Sequence, residues 1–507
     1  ATLTSRDVLW KAIGAERDGV GPLLLTDSRD VAVFNSLAWT LATHVRVCVM
    51  SGVQPIVRDR NNQTLVSQLV SPPLPDHGVC NSTSPSLAEV WFVAELQPLS
   101  TSTFTLTPSR EHHTPPTSHD PPNPIWVEGG ASCHLDRFTV ANKFVCAAFA
   151  NSTGELCGLG ASCEELQAAR WSYRSYGSVQ DSAYIFRPGI TPPSSLFAST
   201  APLITSGRVI TLVTQRFSYV NSTDGDEGEG VVVTHGLLHD PTAAAASSLL
   251  TFQQASSPPP GRQLASTLSL AQPSQEFETD TNGFLSHRRH IDPHRPIEGN
   301  VYPAVTMASA AGFTIAVTRT HGVTVAGDGA MALFTHRRLK HIGLPPLGLE
   351  QALDDALAVA DIYAVYPHTD GNNHLARRRL QLLLERPPIT SPLQRSLPSP
   401  TPLRLPLPRQ IHLQALHRVE VGQGACVSAT SSSCLAVRLF HIDDSPEAED
   451  ISLDLRRIVG SWRTAADRVV EVVETNLAYT TAKHKVAGVV VLSPLDLRSF
   501  LIMISTP

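Results

Sequence analysis

Hydrophobic and polar residues alternate with a period of two along most of the chain. Clusters of Gly, Ser, Asn, Asp and Pro separate the alternating stretches, which predicts strands joined by turns. No strand-then-helix unit repeats, so we predict a mainly β fold of stacked antiparallel sandwiches rather than a parallel α/β sheet. The predicted strands are "DVAVFNSLAW" (30–39), "EVWFVAEL" (89–96), "RVITLVTQRFSYV" (208–220), "GVVVTHGLL" (230–238), "FTIAVTRT" (313–320), "LAVRLFHI" (435–442) and "GVVVLSPLDL" (488–497).

Two stretches depart from strand spacing. "LGLEQALDDALAVADIY" (347–363) places apolar residues three and four apart, which predicts a helix. Those residues are Leu349, Leu353, Ala356, Leu357 and Ala360. The second stretch, "GSWRTAADRVVEVVETNLA" (460–478), is ambiguous, because its "VVEVVE" run fits a strand equally well.

The length of 507 residues predicts several domains, because single cores stop growing at roughly 250–300 residues. The polar or Pro-rich stretches 107–124 and 386–409 look like boundaries between domains, whereas 253–266 is typical of a long loop within a domain. The Pro density of 386–409 favours an extended linker. The predicted order is a small β domain (1–108), a large β-supersandwich domain (125–385), the Pro-rich linker (386–409) and a C-terminal β-sandwich domain (410–507).

Composition narrows the possible partners. The formal net charge is −6 and no long basic run occurs, which argues against a nucleic-acid partner. No apolar run reaches about 18 residues, so no membrane span is predicted. The first residues, "ATLTSRDVLWKAIGAERDG", lack a basic flank followed by an apolar stretch and do not read as a signal peptide.

Four N-x-S/T sequons nevertheless favour the secretory pathway, at Asn62, Asn81, Asn151 and Asn221. Eight cysteines without metal-type C-x-x-C pairs also favour an oxidising compartment. These observations are reconciled if the chain starts inside a longer protein whose signal lies upstream.

Two short cysteine spacings suggest disulfides. A hairpin would bring Cys426 and Cys434 within disulfide range, about 4.4–6.8 Å between Cα atoms. Cys157 and Cys163 flank the turn "GLGAS" and form a second candidate pair. Free buried thiols are the alternative, since connectivity cannot be read from sequence.

Three stretches combine charge with aromatic or Gly-rich surroundings: "DSAYIFRPG" (181–189), "FETDTNGFLSHRRH" (277–290) and "GDGAMALFTHRRL" (327–339). In the first, Tyr184 is either a core residue with a satisfied hydroxyl or a ligand contact, and pattern alone favours the core. In the second, Asp280, Asn282 and Gly283 predict a turn. The paired arginines of "HRR" offer rigid donor forks, although exposed paired arginines are more often simply solvated.

The histidines at 287, 290 and 294 do not read as a metal site. Arg288, Arg289 and Arg295 surround them with positive charge, and only Asp292 adds a nearby carboxylate. No complete active site is recognisable in the chain.

Nine motifs in the same order resemble the C-terminal half of lysosomal-type α-mannosidases, the retaining enzymes of glycoside hydrolase family 38. They are "VFNSLAW", "DRFTVANKF", "DSAYIFRP", "FETDTNGF" with its following arginines, "GNVYP", "HRRL", "SLDLRRI", "VVETNLA" and "LSPLDLRSFL". The resemblance runs from about residue 28 to the C-terminus, with poorly matching stretches between.

The resemblance implies β-sandwich domains, including a galactose-mutarotase-like supersandwich, that follow an N-terminal catalytic α/β barrel. That barrel holds the family's zinc ligands, nucleophile and acid, and no stretch here matches their motifs. We therefore expect no catalytic residue and no metal ligand in this chain, with zinc bound by the N-terminal catalytic half. The expected partners are that half and mannose-containing glycans, in the lumen of the lysosome or secretory pathway.

The resemblance also implies that some residues of this chain reach the sugar site. The tyrosine of "AYIF" is similar to one that contacts bound mannose, which corresponds to Tyr184. An arginine of "HRRL" supports the same site and corresponds to Arg337 or Arg338. The turn residues Asp280 and Asn282 are carried over as further lining of the cleft.

The sequence departs from the family after "HRRL", where "KHIGLPPLGLE" replaces an acidic Gly-containing run. The main hypothesis is the non-catalytic half of an α-mannosidase, inactive alone. A freestanding glycan-binding β-sandwich protein and an independent enzyme using the His-rich segment are the alternatives.

Overall fold

The computed structural model describes residues 23–50, 54–71, 80, 87–109, 125–126, 137–177, 186–188, 191–219, 229–270, 275–339, 353–368, 374–393, 406–426, 433–456 and 468–505. These residues form an almost entirely β structure with one α-helix of three turns, α1 (His374–Glu385), and one short 3-10 helix, Ile297–Asn300. The antiparallel sheets confirm the predicted fold class.

The strands follow one another in three groups along the chain. The first eight are β1 (Leu23–Leu24), β2 (Arg29–Phe34), β3 (Leu41–Met50), β4 (Pro55–Arg58), β5 (Thr64–Leu65), β6 (Ser67–Val70), β7 (Leu87–Leu96) and β8 (Thr101–Pro108). The next twenty are β9 (Ile125–Trp126), β10 (Arg137–Ala141), β11 (Cys146–Ala150), β12 (Leu156–Gly160), β13 (Gln167–Gly177), β14 (Ser194–Ser195), β15 (Phe197–Ala198), β16 (Leu203–Thr205), β17 (Ile210–Ser218), β18 (Glu229–Leu238), β19 (Leu249–Ala255), β20 (Arg262–Leu270), β21 (Glu276–Asp280), β22 (Ser286–His290), β23 (Tyr302–Ala304), β24 (Met307–Ala310), β25 (Phe313–Val317), β26 (His321–Val325), β27 (Met331–Arg338) and β28 (Val359–Pro367). The last eight are β29 (Ile389–Leu393), β30 (Ile411–Val419), β31 (Ser433–His441), β32 (Ile451–Asp454), β33 (Arg468–Thr475), β34 (Ala482–Val486), β35 (Val489–Leu492) and β36 (Leu497–Ser505).

The first group, together with β29 of the last group, forms a small sandwich. One sheet has the order β1-β3-β7-β6 and the other β29-β2-β8-β4-β5. Alternate residues of both sheets, such as Val45, Phe92 and Phe104, are buried between them, as period-two alternation requires.

The middle group forms a large sandwich of two ten-stranded sheets. The first sheet has the order β23-β26-β27-β20-β13-β12-β11-β10-β9, with β14 beside β13. The second has the order β15-β17-β18-β19-β28-β25-β24-β21-β22, with β16 beside β17. Their facing sides bury an aromatic-rich core that includes Phe149, Trp171, Phe217 and Tyr363.

The other seven strands of the last group form the C-terminal sandwich, with a sheet of order β30-β31-β36-β33-β34 and a two-stranded sheet of β32 and β35. Leu439, Leu453, Val490 and Phe500 pack between the two sheets. Helix α1 contributes Leu380, Leu382 and Leu383 to a core shared with the outer faces of the small and large sandwiches.

The helix predicted over 347–363 is wrong where the structure describes it. Residues from Val359 onwards form β28, which pairs with β19 on one side and β25 on the other. Residues 363–365 pair on both sides, and Tyr363 and Val365 are buried in the large core. Of the ambiguous stretch 460–478, Arg468–Thr475 is a strand, β33; residues 460–467 lie outside the described residues.

The predicted linker is partly structured. Residues Ile389–Leu393 form β29 and pair antiparallel with β2 at the edge of the small sandwich. An edge position tolerates Pro392, because one side of the strand needs no donor. The domain boundaries themselves stay predictions.

The disulfides also differ in part from the prediction. Cys426 and Cys434 are bonded, with Cα atoms 6.1 Å apart. The pairing of Cys157 with Cys163 is wrong, because Cys163 is bonded to Cys146; β11 and β12 are antiparallel neighbours, and this bond ties the loop after β12 back to β11. A further bond joins Cys48 and Cys80.

Candidate functional site

Arg337 and Arg338 end strand β27, and the strand register places them on opposite faces of the sheet. Arg337 stands directly opposite Gln263 of β20, which in turn stands opposite Tyr176 of β13. Residues opposite each other in antiparallel strands project to the same face. Arg338 is the next residue along β27 and stands opposite Arg262. It therefore points to the other face of the sheet.

The two guanidinium groups have different partners. Arg337 Nε donates to Oε1 of the buried Gln263 at 2.8 Å. Arg338 Nε donates to Oδ1 of Asp354 at 2.5 Å, an ion pair whose aspartate is half exposed. Asp354 thus neutralises Arg338, whereas Gln263 is a neutral amide that orients the Arg337 guanidinium.

An aromatic cluster lies on the Arg337 face of the sheet. Tyr176 packs against Phe186 and Phe334, and the ring centroids of Phe186 and Phe334 are 4.5 Å apart. A β-bulge opposite the Leu264/Ala265 step leaves Thr335 without an opposite residue on β20. The extra residue puts Phe334 on the same face as Arg337, although residues three apart in a regular strand point to opposite faces. Tyr184 lies outside the described residues, and Phe186 is the nearest described residue to it along the "AYIF" motif.

A charged pair borders this cluster. Arg174, also on β13, pairs with Asp328 in the turn between β26 and β27. The Arg174 guanidinium and the Ala330 amide lower the pKa of the Asp328 carboxyl, even though its partial burial acts in the opposite direction. Burial raises the pKa of the Tyr176 hydroxyl beside them. The Arg174–Asp328 ion pair thus connects the β26–β27 turn to β13, on the face that carries Arg337.

Asp280 anchors its own turn rather than an open cleft. Its buried carboxylate accepts hydrogen bonds from the backbone N–H groups of Gly283 (2.7 Å), Thr306 (2.9 Å) and Met307 (3.0 Å), and from the Thr306 hydroxyl (2.8 Å). Gly283 adopts φ +75°, a conformation that a side chain would strain. These contacts agree with the turn that the residues predict.

Asn282 is exposed and caps the same turn, because its Oδ1 accepts from the Phe284 N–H at 3.1 Å. It also lines a cavity of about 150 Å³ between the turn, helix α1 and strand β30. Asp280 and Asn282 follow β21 in the second sheet of the large sandwich, whereas Arg337 belongs to the first. The predicted site residues that the structure describes therefore belong to two different sheets.

The remaining predicted features are distributed over the surface. His287 and His290 lie on β22, the edge strand of the second sheet, and His290 and His294 are exposed. Across the described ranges, no three His, Cys, Asp or Glu residues form a group that could hold a metal ion. Of the sequons, Asn62 is exposed in a turn and Asn151 is half-buried in another; Asn81 and Asn221 lie outside the described residues.

No helix in the described part of the chain is long and apolar enough to cross a membrane.

Comparison with known proteins identifies a shared fold. No protein-family model matches the sequence, and no curated protein matches it. Among solved structures, a glycosyl hydrolase family 38 protein from Enterococcus faecalis superposes over 98% of this chain and 60% of its own, with a TM-score of 0.60 and 13% identity. An alpha-mannosidase from Enterococcus faecalis gives a TM-score of 0.59 at 11% identity, covering 98% of this chain and 58% of its own.

These identities show the fold alone. The chain therefore has the fold of a region of these two proteins and spans about 60% of their length.

Sequence reasoning missed two polar residues that the structure makes prominent. Gln263 lies in an unremarkable stretch, "GRQLAS", and only the strand register brings it to Arg337. Arg378 lies in "HLARRRLQLLLE", a basic-looking run, yet it is buried. Arginine side chains are usually exposed, so the burial of Arg378 marks it as unusual. That burial can be seen only in the fold.

Proposed function

We propose that this chain is the β-rich portion of a family 38 α-mannosidase, which releases terminal α-mannose from N-glycans. The observation that carries the proposal is the fold shared with two family 38 proteins over nearly the whole chain and about 60% of theirs. The nine ordered sequence motifs support it independently. The finer subtype, a lysosomal-type enzyme, rests on those motifs alone.

In this proposal the chain completes a sugar cleft whose catalytic carboxylates and zinc belong to the rest of the enzyme. Zinc would supply Lewis-acid and orienting chemistry there. The groups that this chain contributes are a phenol, Tyr184, and a guanidinium. A phenol offers one donor and one acceptor to sugar hydroxyls, and a guanidinium orients hydroxyls or a carboxylate.

Of the two arginines we propose Arg337 for this role. Arg337 shares its face with the cluster that contains Phe186, two residues after Tyr184 in the sequence, and Gln263 orients its guanidinium. Arg338 is paired with Asp354 on the other face. Disulfide bonds and sequons support a location in the secretory pathway or lysosomal lumen.

The test is hydrolysis of an aryl α-mannoside by the purified chain and by the chain coexpressed with the remainder of the polypeptide encoded upstream. We expect no turnover from the chain alone and turnover from the combined protein. Turnover by the chain alone would exclude an inactive β-rich half. An upstream sequence that encodes only a signal peptide would favour the alternative, a glycan-binding protein without catalysis.

A further inference from the structure

The cavity beside Asn282 lies where three parts of the molecule meet. Its walls come from the β21–β22 turn, from the C-terminal half of helix α1 and from the C-terminal sandwich, which contributes His412 and Gln414 of β30. The volume of about 150 Å³ exceeds what one or two water molecules fill. An apolar cavity of about 150 Å³ binds benzene, so this volume is on the scale of a single six-membered ring.

Arg378 is the central buried group of this wall. Its guanidinium donates to the carbonyl oxygens of Gly283 (3.2 Å) and Phe284 (2.9 Å) and to Asp444 Oδ2 (3.1 Å). The side chains of Arg378 and Asp444 are 2% and 4% exposed. One residue thus ties the turn, the helix and the C-terminal sandwich together, which makes the wall preorganised.

The wall retains polar atoms that the protein itself leaves unpaired. Arg378 Nε, His412 Nδ1 and Gln414 Oε1 are buried and have no hydrogen-bond partner among the described residues. His412 is 3% exposed, and burial lowers its pKa to about 3, so its imidazole is neutral. Buried polar groups in native proteins are nearly always satisfied, and a ligand rich in hydroxyl groups would supply the partners that these three atoms lack.

The charges of the wall balance, which defines the class of ligand. Asp444 compensates Arg378 at 3.1 Å, and the neighbouring Glu385 and Arg386, which also line the cavity, carry opposite charges. Phe284 and Phe440 add an apolar side, with ring centroids 4.7 Å apart. Balanced donors and acceptors beside aromatic rings suit a neutral polyhydroxylated ring rather than an anion or a metal ion.

We propose that this cavity is a binding site for one pyranose-sized neutral polyol, separate from the Arg337 face. A ligand there would contact all three walls at once, so its binding would stabilise the junction of the large and C-terminal sandwiches. This inference does not depend on the proposed mannosidase function, because it uses neither Tyr184 nor Arg337, the two groups that the proposed function assigns to the sugar cleft.

The test uses the purified chain and measures its midpoint of thermal unfolding in methyl α-D-mannoside, myo-inositol, inorganic phosphate and sucrose. We expect a saturable rise with at least one of the two single-ring polyols and none with phosphate. Sucrose, a two-ring osmolyte, should give only the non-saturating rise of an excluded solute. Absence of a saturable rise with both single-ring polyols, or saturation by phosphate alone, would overturn the proposal.

Variants locate the site. His412→Phe and Gln414→Leu should each weaken the saturable effect at least tenfold. His235→Phe is a matched control, because His235 is equally buried, has a pKa also lowered to about 3 and has an unpaired Nε2 in the core of the large sandwich. His235→Phe and Arg337→Ala should leave the effect unchanged. Loss in Arg337→Ala with retention in Gln414→Leu would assign the sugar to the Arg337 face and contradict the separate site.

Discussion

Arg337 Nε donates to Gln263 Oε1 at 2.8 Å, and the two residues stand directly opposite each other on β27 and β20. A buried amide that accepts from a guanidinium fixes the direction in which that guanidinium points without neutralising it. The relationship makes Gln263 a positioning residue for Arg337 in the proposed sugar cleft.

We expect Gln263→Leu to lower kcat/KM of the assembled enzyme about 3- to 10-fold, the loss of one ordinary hydrogen bond. Gln263→Glu retains an acceptor and should keep Arg337 in place, so it should restore much of the activity. The matched control is Gln253→Leu, since Gln253 is equally buried but bonds Ser266 inside the large sandwich. Equal activity losses in Gln253→Leu and Gln263→Leu would reduce Gln263 to a structural role.

The opposite faces of the two arginines give a second prediction. Arg337→Ala should lower kcat/KM about 10- to 100-fold, as expected for loss of a charged hydrogen bond to substrate or carboxylate. Arg338→Ala removes a partly exposed ion pair with Asp354, and such pairs contribute about 0–1 kcal/mol to stability. Steady-state kinetics of both variants decide the assignment, and a larger loss in Arg338→Ala would reverse it.

Asp280 should matter for stability rather than binding. Asp280→Ala leaves three N–H groups, two of them fully buried, and the Thr306 hydroxyl without their acceptor, so we expect a loss of at least about 3 kcal/mol in the free energy of unfolding. Asn282→Ala removes one bond in an exposed part of the same turn and should cost about 1 kcal/mol or less. Urea denaturation compares the two. Similar stabilities for Asp280→Ala and the unmodified chain would show that the carboxylate is not the anchor of the turn.

The Cys146–Cys163 bond closes a loop of sequence separation 17. In the chain-entropy view, a loop of about this length is worth about 3 kcal/mol. The double variant Cys146→Ser with Cys163→Ser should lose roughly that amount in thermal unfolding. Peptide mapping of the unreduced protein should recover Cys146 joined to Cys163, and recovery of Cys157 joined to Cys163 would contradict the structure.

Buried neutral histidine makes stability depend on pH. Burial lowers the pKa of His235 to about 3 from an unfolded value near 6.5, so between these values the unfolded chain binds the extra proton and stability falls as pH falls. His235 should contribute its full stabilisation above about pH 6.5 and lose about 2 kcal/mol of it by pH 5. Denaturant unfolding of His235→Phe and the unmodified chain at pH 7.5 and pH 5 measures the difference. An identical pH dependence in both proteins would mean that folding does not lower the pKa of His235.

Periodicity determined the fold class and most of the strands, because alternation records which side of a strand faces a core whatever its neighbours are. All seven predicted stretches contain a strand of the structure, from β2 to β35. The stretch 347–363 failed for a related reason: its Leu and Ala residues fit helical spacing, but only pairing on both sides with β19 and β25 makes Val359–Pro367 a strand. The spacing of residues within a segment carries no information about partners about 46 to 116 residues away.

The candidate site divides in the same way. The residues themselves determined that Tyr184, the "HRR" arginines and the "TDTNG" turn are the chemically distinctive groups, because side-chain chemistry is local. Only the tertiary structure decided that Arg337 and Arg338 lie on opposite faces and that Gln263 accepts a hydrogen bond from Arg337. It also decided that the Asp280 carboxylate bonds the backbone of its own turn and of Thr306. Those outcomes depend on strand register, a bulge at Thr335 and burial, and each is set by contacts between segments distant in the chain.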